Sequence, residues 1–315
     1  MKFFFLFSTF FVYFYIPIMA DSGLKVLVTI RPYHSILSAL MEGVSEPKLL
    51  LQGNQSPHSY TIKPSSLEYI KNSDIIFWGG MSLEAYLANS LDLFASRIKV
   101  ISFIEMEEIL LLRVPNYKNN VKRKKFLKNK KYNKLGDNYF GVDPHLWLDP
   151  INVKNIVNAT VDILSRIDFK NANKYFNNGE NFKRTLDELD QELSIKLNSF
   201  SSIPFLVFHN AFQYFENRYN LNLVGAFTTN TSFGMSARRM REIQKTIKNK
   251  KIPCVFMEQN MSQKLLSTAV EGTNARIGML DPLGVKINKG PKLYSKLLRN
   301  LSDSIIECLS GIHKN

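Results

Sequence analysis

A chain of 315 residues with a 45% hydrophobic share is long enough for about two domains and apolar enough to bury a core in each. Its formal net charge of +14 suggests a polyanion partner only until the charge is located. Ten basic residues and no acid lie between Arg113 and Lys134, which leaves +4 for the rest and excludes a fold that is basic throughout, as a nucleic-acid binder would be.

The first segment stands apart. Met1-Lys2 is followed by a nearly continuous apolar run, Phe3 to Ile18, then Met19-Ala20 and a polar Asp21. One positive charge, a greasy stretch and a small residue before a polar start form a secretory signal pattern, with cleavage expected after Ala20. The run is about 16 residues, short of the roughly 20 that a membrane-spanning helix needs, so an uncleaved anchor is the weaker reading. No cysteine lies near it, which argues against a lipid-modified N-terminus.

Beyond residue 20, short apolar runs alternate with amphipathic stretches, the pattern of an α/β protein. Leu24–Ile30 reads as a strand and Pro32–Met41 as a helix entered through proline. Lys48–Leu51 is a short strand, Pro64–Asn72 a helix, Asp74–Trp78 a strand and Ser82–Phe94 a helix, before the strand Ile98–Ser102. The Lys/Asn-rich stretch 113–135 predicts a solvated insertion. Binding of a polyanion or an anionic surface through that loop is the alternative. Residues 152–167 and about 170–199 have helical spacing, with Leu186, Leu189, Leu193 and Leu197 at three- and four-residue steps. A helix of about 30 residues spans about 45 Å, enough to run along both halves of a bilobed protein.

The second half repeats the theme. Strands are expected at Ile203–His209, Leu221–Phe227, Ile252–Glu258 and Ala275–Asp281, with helices at Ala211–Tyr219, Ser236–Asn249, Gln263–Gly272 and Pro291–Leu309. The resulting division is a signal segment 1–20, a first α/β lobe 21–168, a linking helix 169–200 and a second α/β lobe 201–315. Cys254 and Cys308 are the only cysteines. In an oxidising space they would either bridge or stand as two buried thiols; a bridge closing about 55 residues contributes about 3–4 kcal/mol in the chain-entropy model.

Of the five histidines, His34 and His313 read as structural or solvent-exposed. The other three occupy less ordinary places. His58 lies in a turn-rich loop after a strand. His145 lies between two Asp-Pro pairs in Asp143-Pro144-His145-Leu146-Trp147-Leu148-Asp149-Pro150. His209 ends the apolar run Phe205–Phe208, and Asp281 closes the last strand in the same manner. Ligands of open α/β sheets collect at the carboxyl ends of strands, so His209 and Asp281 are expected to face one crevice. Three imidazoles and one carboxylate form a four-coordinate N/O set that suits Zn(II) without needing reduced thiols.

These residues carry a specific likeness. Ser56-Pro57-His58-Ser59-Tyr60, Asp74–Gly80, Pro144–Pro150, Phe208–Phe215 and Leu280-Asp281-Pro282-Leu283-Gly284, in that order, resemble the metal-binding lipoprotein/adhesin family of ABC-transporter solute-binding proteins, and within it the zinc-uptake (ZnuA-type) branch. The resemblance covers almost all of residues 24–310. It implies two α/β lobes joined by a long backbone helix, with Zn(II) carried in the interlobe cleft as transported ligand. It implies His58, His145 and His209 as ligands, with Asp281 at the position of a fourth carboxylate. Manganese- and iron-binding relatives usually have Glu at the place of His209, so a third imidazole favours zinc. A Cys254–Cys308 disulfide, a periplasmic location and an ABC permease with its ATPase as partners are implied as well. The protein is expected to act as a monomer.

Three departures bear on the site. The 113–135 loop holds lysines and no histidine, so zinc capture by that loop is not expected. Asn210 stands where Asp often follows the third histidine, which puts the support of His209 in question. Pro57 replaces a Glu of some relatives. Glu258, near the same crevice, reads as a supporting residue. No HExxH helix and no GxSxG turn occurs, so an enzyme is not expected.

Overall fold

The computed structural model describes residues 23–53, 55–114, 139, 141–228, 236–259 and 263–311. The expected signal segment 1–20, His313, and the basic loop beyond Val114 lie outside the described residues.

Four short strands build the first sheet: β1 (Val26–Val28), β2 (Lys48–Leu49), β3 (Ile75–Trp78) and β4 (Lys99–Ser102). All pair in parallel, in the order β2-β1-β3-β4. Every residue of β1 and β3 is buried, as continuous apolar strands covered on both faces require. Helices α1 (Arg31–Leu40) and α2 (Pro64–Lys71) each carry proline in the first turn, where its missing N–H leaves no hydrogen bond unmade.

One expected element is divided. The stretch read as a single helix over Ser82–Phe94 forms α3 (Met81–Glu84) and α4 (Ala88–Phe94). The break falls after Glu84, whose side chain is fully buried and turned down to the sheet, where it accepts bonds from Thr29 Oγ1 at 2.9 Å and the Gly79 amide at 2.7 Å. Gly80 makes the entry possible: its φ is +94°, and a Cβ there would stand 2.6 Å from Ile104.

Two long helices follow. Asp149 caps α5 (Pro150–Ile167) by accepting from the Ile151 amide at 2.8 Å. The linking helix α6 (Ala172–Asn198) has 27 residues, about 40 Å at 1.5 Å per residue. It buries Tyr175, Gly179, Phe182, Leu186, Leu189, Leu193 and Leu197, one stripe at helical spacing. Truncating one of these leucines to Ala would cost about 2–5 kcal/mol. Along its length α6 packs on α5, on α1 of the first lobe and on the closing helix of the second.

The second sheet copies the first. Strands β5 (Phe205–His209), β6 (Leu223–Thr228), β7 (Cys254–Met257) and β8 (Arg276–Met279) are parallel, in the order β6-β5-β7-β8. Helix α7 (Gln213–Tyr219) follows β5, α8 (Ala237–Asn249) follows β6, α9 (Gln263–Val270) follows β7, and α10 (Leu293–Ser310) closes the chain. Ile243 and Ile247 of α8 and Leu266 of α9 pack against Leu206 and Val255 on one face. Phe205, Val207 and Phe256 point into the other, larger core with α10. A disulfide joins Cys254 at the start of β7 to Cys308 near the end of α10. No helix among the described residues is long and apolar enough to cross a membrane.

Buried polar bonds tie the lobes. Trp147 Nε1 donates to the Pro282 carbonyl at 2.7 Å, and the Tyr294 hydroxyl donates to the Trp147 carbonyl at 2.8 Å. Ser35 Oγ donates to the Gly290 carbonyl at 2.7 Å and accepts from the Tyr294 amide at 2.9 Å.

Candidate metal site

In both sheets the strand order reverses beside the first strand, and a crevice opens there beyond the carboxyl ends. In the second lobe that point lies between β5 and β7. His209 is the last residue of β5 and is 4% exposed; Glu258 follows the end of β7. Their side chains meet, His209 Nδ1 lying 2.8 Å from Glu258 Oε1. Parallel pairing of β5 with β7 dictates this contact.

His145 comes from the segment before α5. Its ring Nδ1 lies 2.6 Å from Asp143 Oδ1, and the same oxygen accepts from the His145 amide at 3.0 Å. Asp143 is wholly buried. A carboxylate on Nδ1 places the proton there and leaves Nε2 with its lone pair, the state a metal ligand needs. Asp143 and Glu258 do this for two of the three rings. His58 is carried by the loop after β2, its amide donating to Ser56 Oγ at 3.2 Å. Burial holds its ring well below the usual imidazole range, and the neighbouring His145 and His209 push it the same way. It is therefore neutral at pH 7.

The three rings form a nearly equilateral set. Their centroids stand 5.3, 5.2 and 5.2 Å apart and their planes are turned 61°, 87° and 75° to one another. One ligand nitrogen from each lies within 4.8 Å of the other two. His58 Nε2 and His145 Nε2 are 3.3 Å apart. Around a tetrahedral zinc with Zn–N of about 2.0–2.1 Å, two ligand nitrogens stand about 3.3–3.4 Å apart, so this pair already has the edge length of a zinc site. The enclosed space is about 20 Å³, walled by Pro57, Trp147, Pro282 and Leu283 besides the ligands. That is room for one ion or one water and for nothing larger.

Asp281 does not join the rings. Its Oδ1 accepts from the amides of Leu283 and Gly284 at 3.0 and 2.9 Å, and its Oδ2 from Val285 at 2.6 Å. Strand order gives the reason. Asp281 follows β8, which is two strands from β5, so about 10 Å of sheet separates it from the end that carries His209. Glu258, on the intervening strand, takes the place beside His209. The support put in question by Asn210 is supplied by Glu258 instead. His34 is buried and bonded through Nε2 to the Pro47 carbonyl at 3.0 Å, a structural ring. Asp143 was legible in retrospect: it stands two residues before a histidine in a proline-bounded turn, a spacing at which one carboxylate reaches both amide and ring.

Two parallel-sheet lobes joined by a long helix, with three inward imidazoles at their junction, define a metal-binding solute-binding protein. The chain belongs to the ZnuA family, zinc-uptake complex component A, periplasmic, whose model matches residues 26–308. The high-affinity zinc uptake system protein ZnuA of Brucella suis biovar 1 is 34% identical over 308 residues, covering 90% of this chain and 91% of that protein. Its counterpart from Yersinia pestis is 28% identical over 289 residues, with 90% and 91% covered. A crystal structure of ZnuA shares the fold with a TM-score of 0.76 at 23% identity, covering 91% of this chain and 99% of that one.

Proposed function

We propose that this chain is exported, captures Zn(II) in the periplasm and delivers it to an ABC-type importer formed by a membrane permease and a cytoplasmic ATPase. One observation carries the reading: three imidazole nitrogens from both lobes lie within 4.8 Å of one another in a space the size of an ion. His58, His145 and His209 are the ligands. Asp143 and Glu258, acting through the rings, add two negative charges behind a dication, so the buried site is close to neutral when loaded. The names of the relatives support zinc as the cargo and periplasmic uptake as the setting. A 20 Å³ space has no room for an organic substrate beside the ion, which supports binding and delivery over catalysis.

Delivery requires that the ligand set come apart. Moving His58, on the first lobe, away from His209, on the second, dismantles it, and the chain does so as a monomer on its permease. The deciding experiment is competition titration of the metal-free protein with zinc and manganese. We expect one zinc bound per chain, preferred over manganese, and weakened about a thousandfold in His209→Ala. Preference for manganese, or zinc binding untouched by that substitution, would overturn the proposal.

A further inference from the structure

The chain between β8 and α10 crosses back to the first lobe and is bound there by α1. Arg31 Nε donates to the Gly284 carbonyl at 3.2 Å, and Arg31 Nη2 donates to the Ile287 carbonyl. One helical turn on, Ser35 Oγ reaches the Gly290 carbonyl, and beyond it Lys289 pairs with Glu46 at 3.1 Å. The Lys289 and Glu46 side chains are both exposed, and such a pair contributes little. Arg31 is half-buried and bonds from a fixed charge, which makes its hold the stronger one. Burial lowers the guanidinium from its usual range, and the Asp281 carboxylate opposes that shift.

Asp281 grips the same turn from within, through the amides of Leu283, Gly284 and Val285. A carboxylate thus takes amides, and a guanidinium takes carbonyls, of one short turn. Gly284, at φ +66°, lets the chain double back between them. Pro282 and Leu283 of this turn wall the imidazole cluster. The Pro282 carbonyl is fixed to Trp147, so a swing of the turn begins at Leu283. Among the described residues around the space, only Ser56, His58, Glu258 and Leu283 reach solvent. Glu258 is drawn to His209. The way out therefore passes between Leu283 and the loop of Ser56 and His58. A space sized for one ion gives it no passage unless a wall moves.

We propose that residues 283–287 are the lid of the ion space and that Arg31 latches this lid to the first lobe. Arg31 is a positioning residue, acting through the turn on how fast the ion passes. The latch deepens the function proposed above and rests on the imidazole cluster being the metal site. Freeing a lid opens both directions alike, so entry and exit quicken together while the ligand set, and with it the affinity, is kept.

The test is stopped-flow kinetics on the full chain, with zinc taken up from and released to a chromogenic chelator. Arg31→Gln should raise the dissociation rate about tenfold, the loss expected for charge-assisted bonds, and the association rate by a similar factor. Affinity should stay within about threefold. Arg31→Lys keeps the charge and one donor group, and its rates should fall between those of the wild type and Arg31→Gln. Leu283→Ala trims the lid and leaves the latch in place, so it should quicken both rates even if Arg31→Gln folds poorly. A role in folding alone would lower the unfolding midpoint and leave the two rates as they were. Should the wild-type chain prefer manganese, the same rates are read with manganese, which separates a failure of the zinc reading from a failure of the latch. Three outcomes would overturn the latch: unchanged rates in folded Arg31→Gln, unchanged rates in Leu283→Ala, or faster release without faster uptake.

Discussion

The two lobes have the same strand order and use the crevice at its reversal in opposite ways. In the second lobe His209 ends β5 and Glu258 follows β7, and the crevice opens toward the imidazole cluster. In the first lobe the residues that follow β1 and β3 are Thr29 and Gly79, and both donate to the buried carboxyl of Glu84, which sits at that point. The first lobe therefore brings its imidazoles from loops at the side, His58 after β2 and His145 before α5. One topology supplies a binding position when a ring caps the strand and a plug when a helix turns an acid inward.

The largest effect should come from emptying the open crevice. His209→Ala removes one of the three imidazoles, and zinc affinity measured against a competing chelator should fall by about a thousandfold, roughly 4 kcal/mol. A loss below about tenfold would mean that the crevice is not where the ion is held. The plug gives the next effect, on stability. Burial raises the Glu84 carboxyl to about 7, despite bonds from Gly79, Thr29 and Tyr86 that favour its charged form. The folded chain thus holds a proton that the unfolded chain has released above about pH 4.5. Its contribution is full below pH 4.5 and is lost as pH rises to about 7, a difference on the order of 3 kcal/mol. Glu84→Gln should remove that part of the pH dependence in denaturant unfolding between pH 5 and 8, with zinc affinity unchanged. An identical pH dependence in the variant would show that the plug does not titrate there.

Glu258→Gln sharpens the contrast between acids that plug and acids that support. It keeps the shape while discharging the partner of His209, and zinc affinity should drop about 10–100-fold, the usual cost of losing a carboxylate behind a ligating histidine. Asp281→Ala tests the smallest effect. Three backbone amides lose their acceptor, costing about 1–2 kcal/mol in unfolding experiments, while zinc affinity should stay within about twofold. A large fall in affinity would place Asp281 among the ligands after all.

What could be read from the chain follows from the same contrast. Apolar runs, proline entries and the leucine spacing of α6 marked nearly every element, because local pattern decides them. The three histidines stood out because each interrupts or ends an apolar or proline-bounded stretch. Glu84 did not, since an acid in an amphipathic helix looks like a solvated one, and only the packed sheet shows it facing inward. Asp281 stands apart from the rings for a related reason. Closing a strand is a local property, but its distance from His209 depends on strand order, which places β7 between them and gives Glu258 the nearer seat.

Trp147 carries a last consequence, for how unevenly the three rings are held. It is bonded to Pro282 on one side and to Tyr294 on the other, so the short turn bearing His145 is tied to the second lobe although it precedes the linking helix. His58 rides on a loop, and the bonds at its ring and amide run to His145 and Ser56, whereas His145 and His209 each meet a carboxylate.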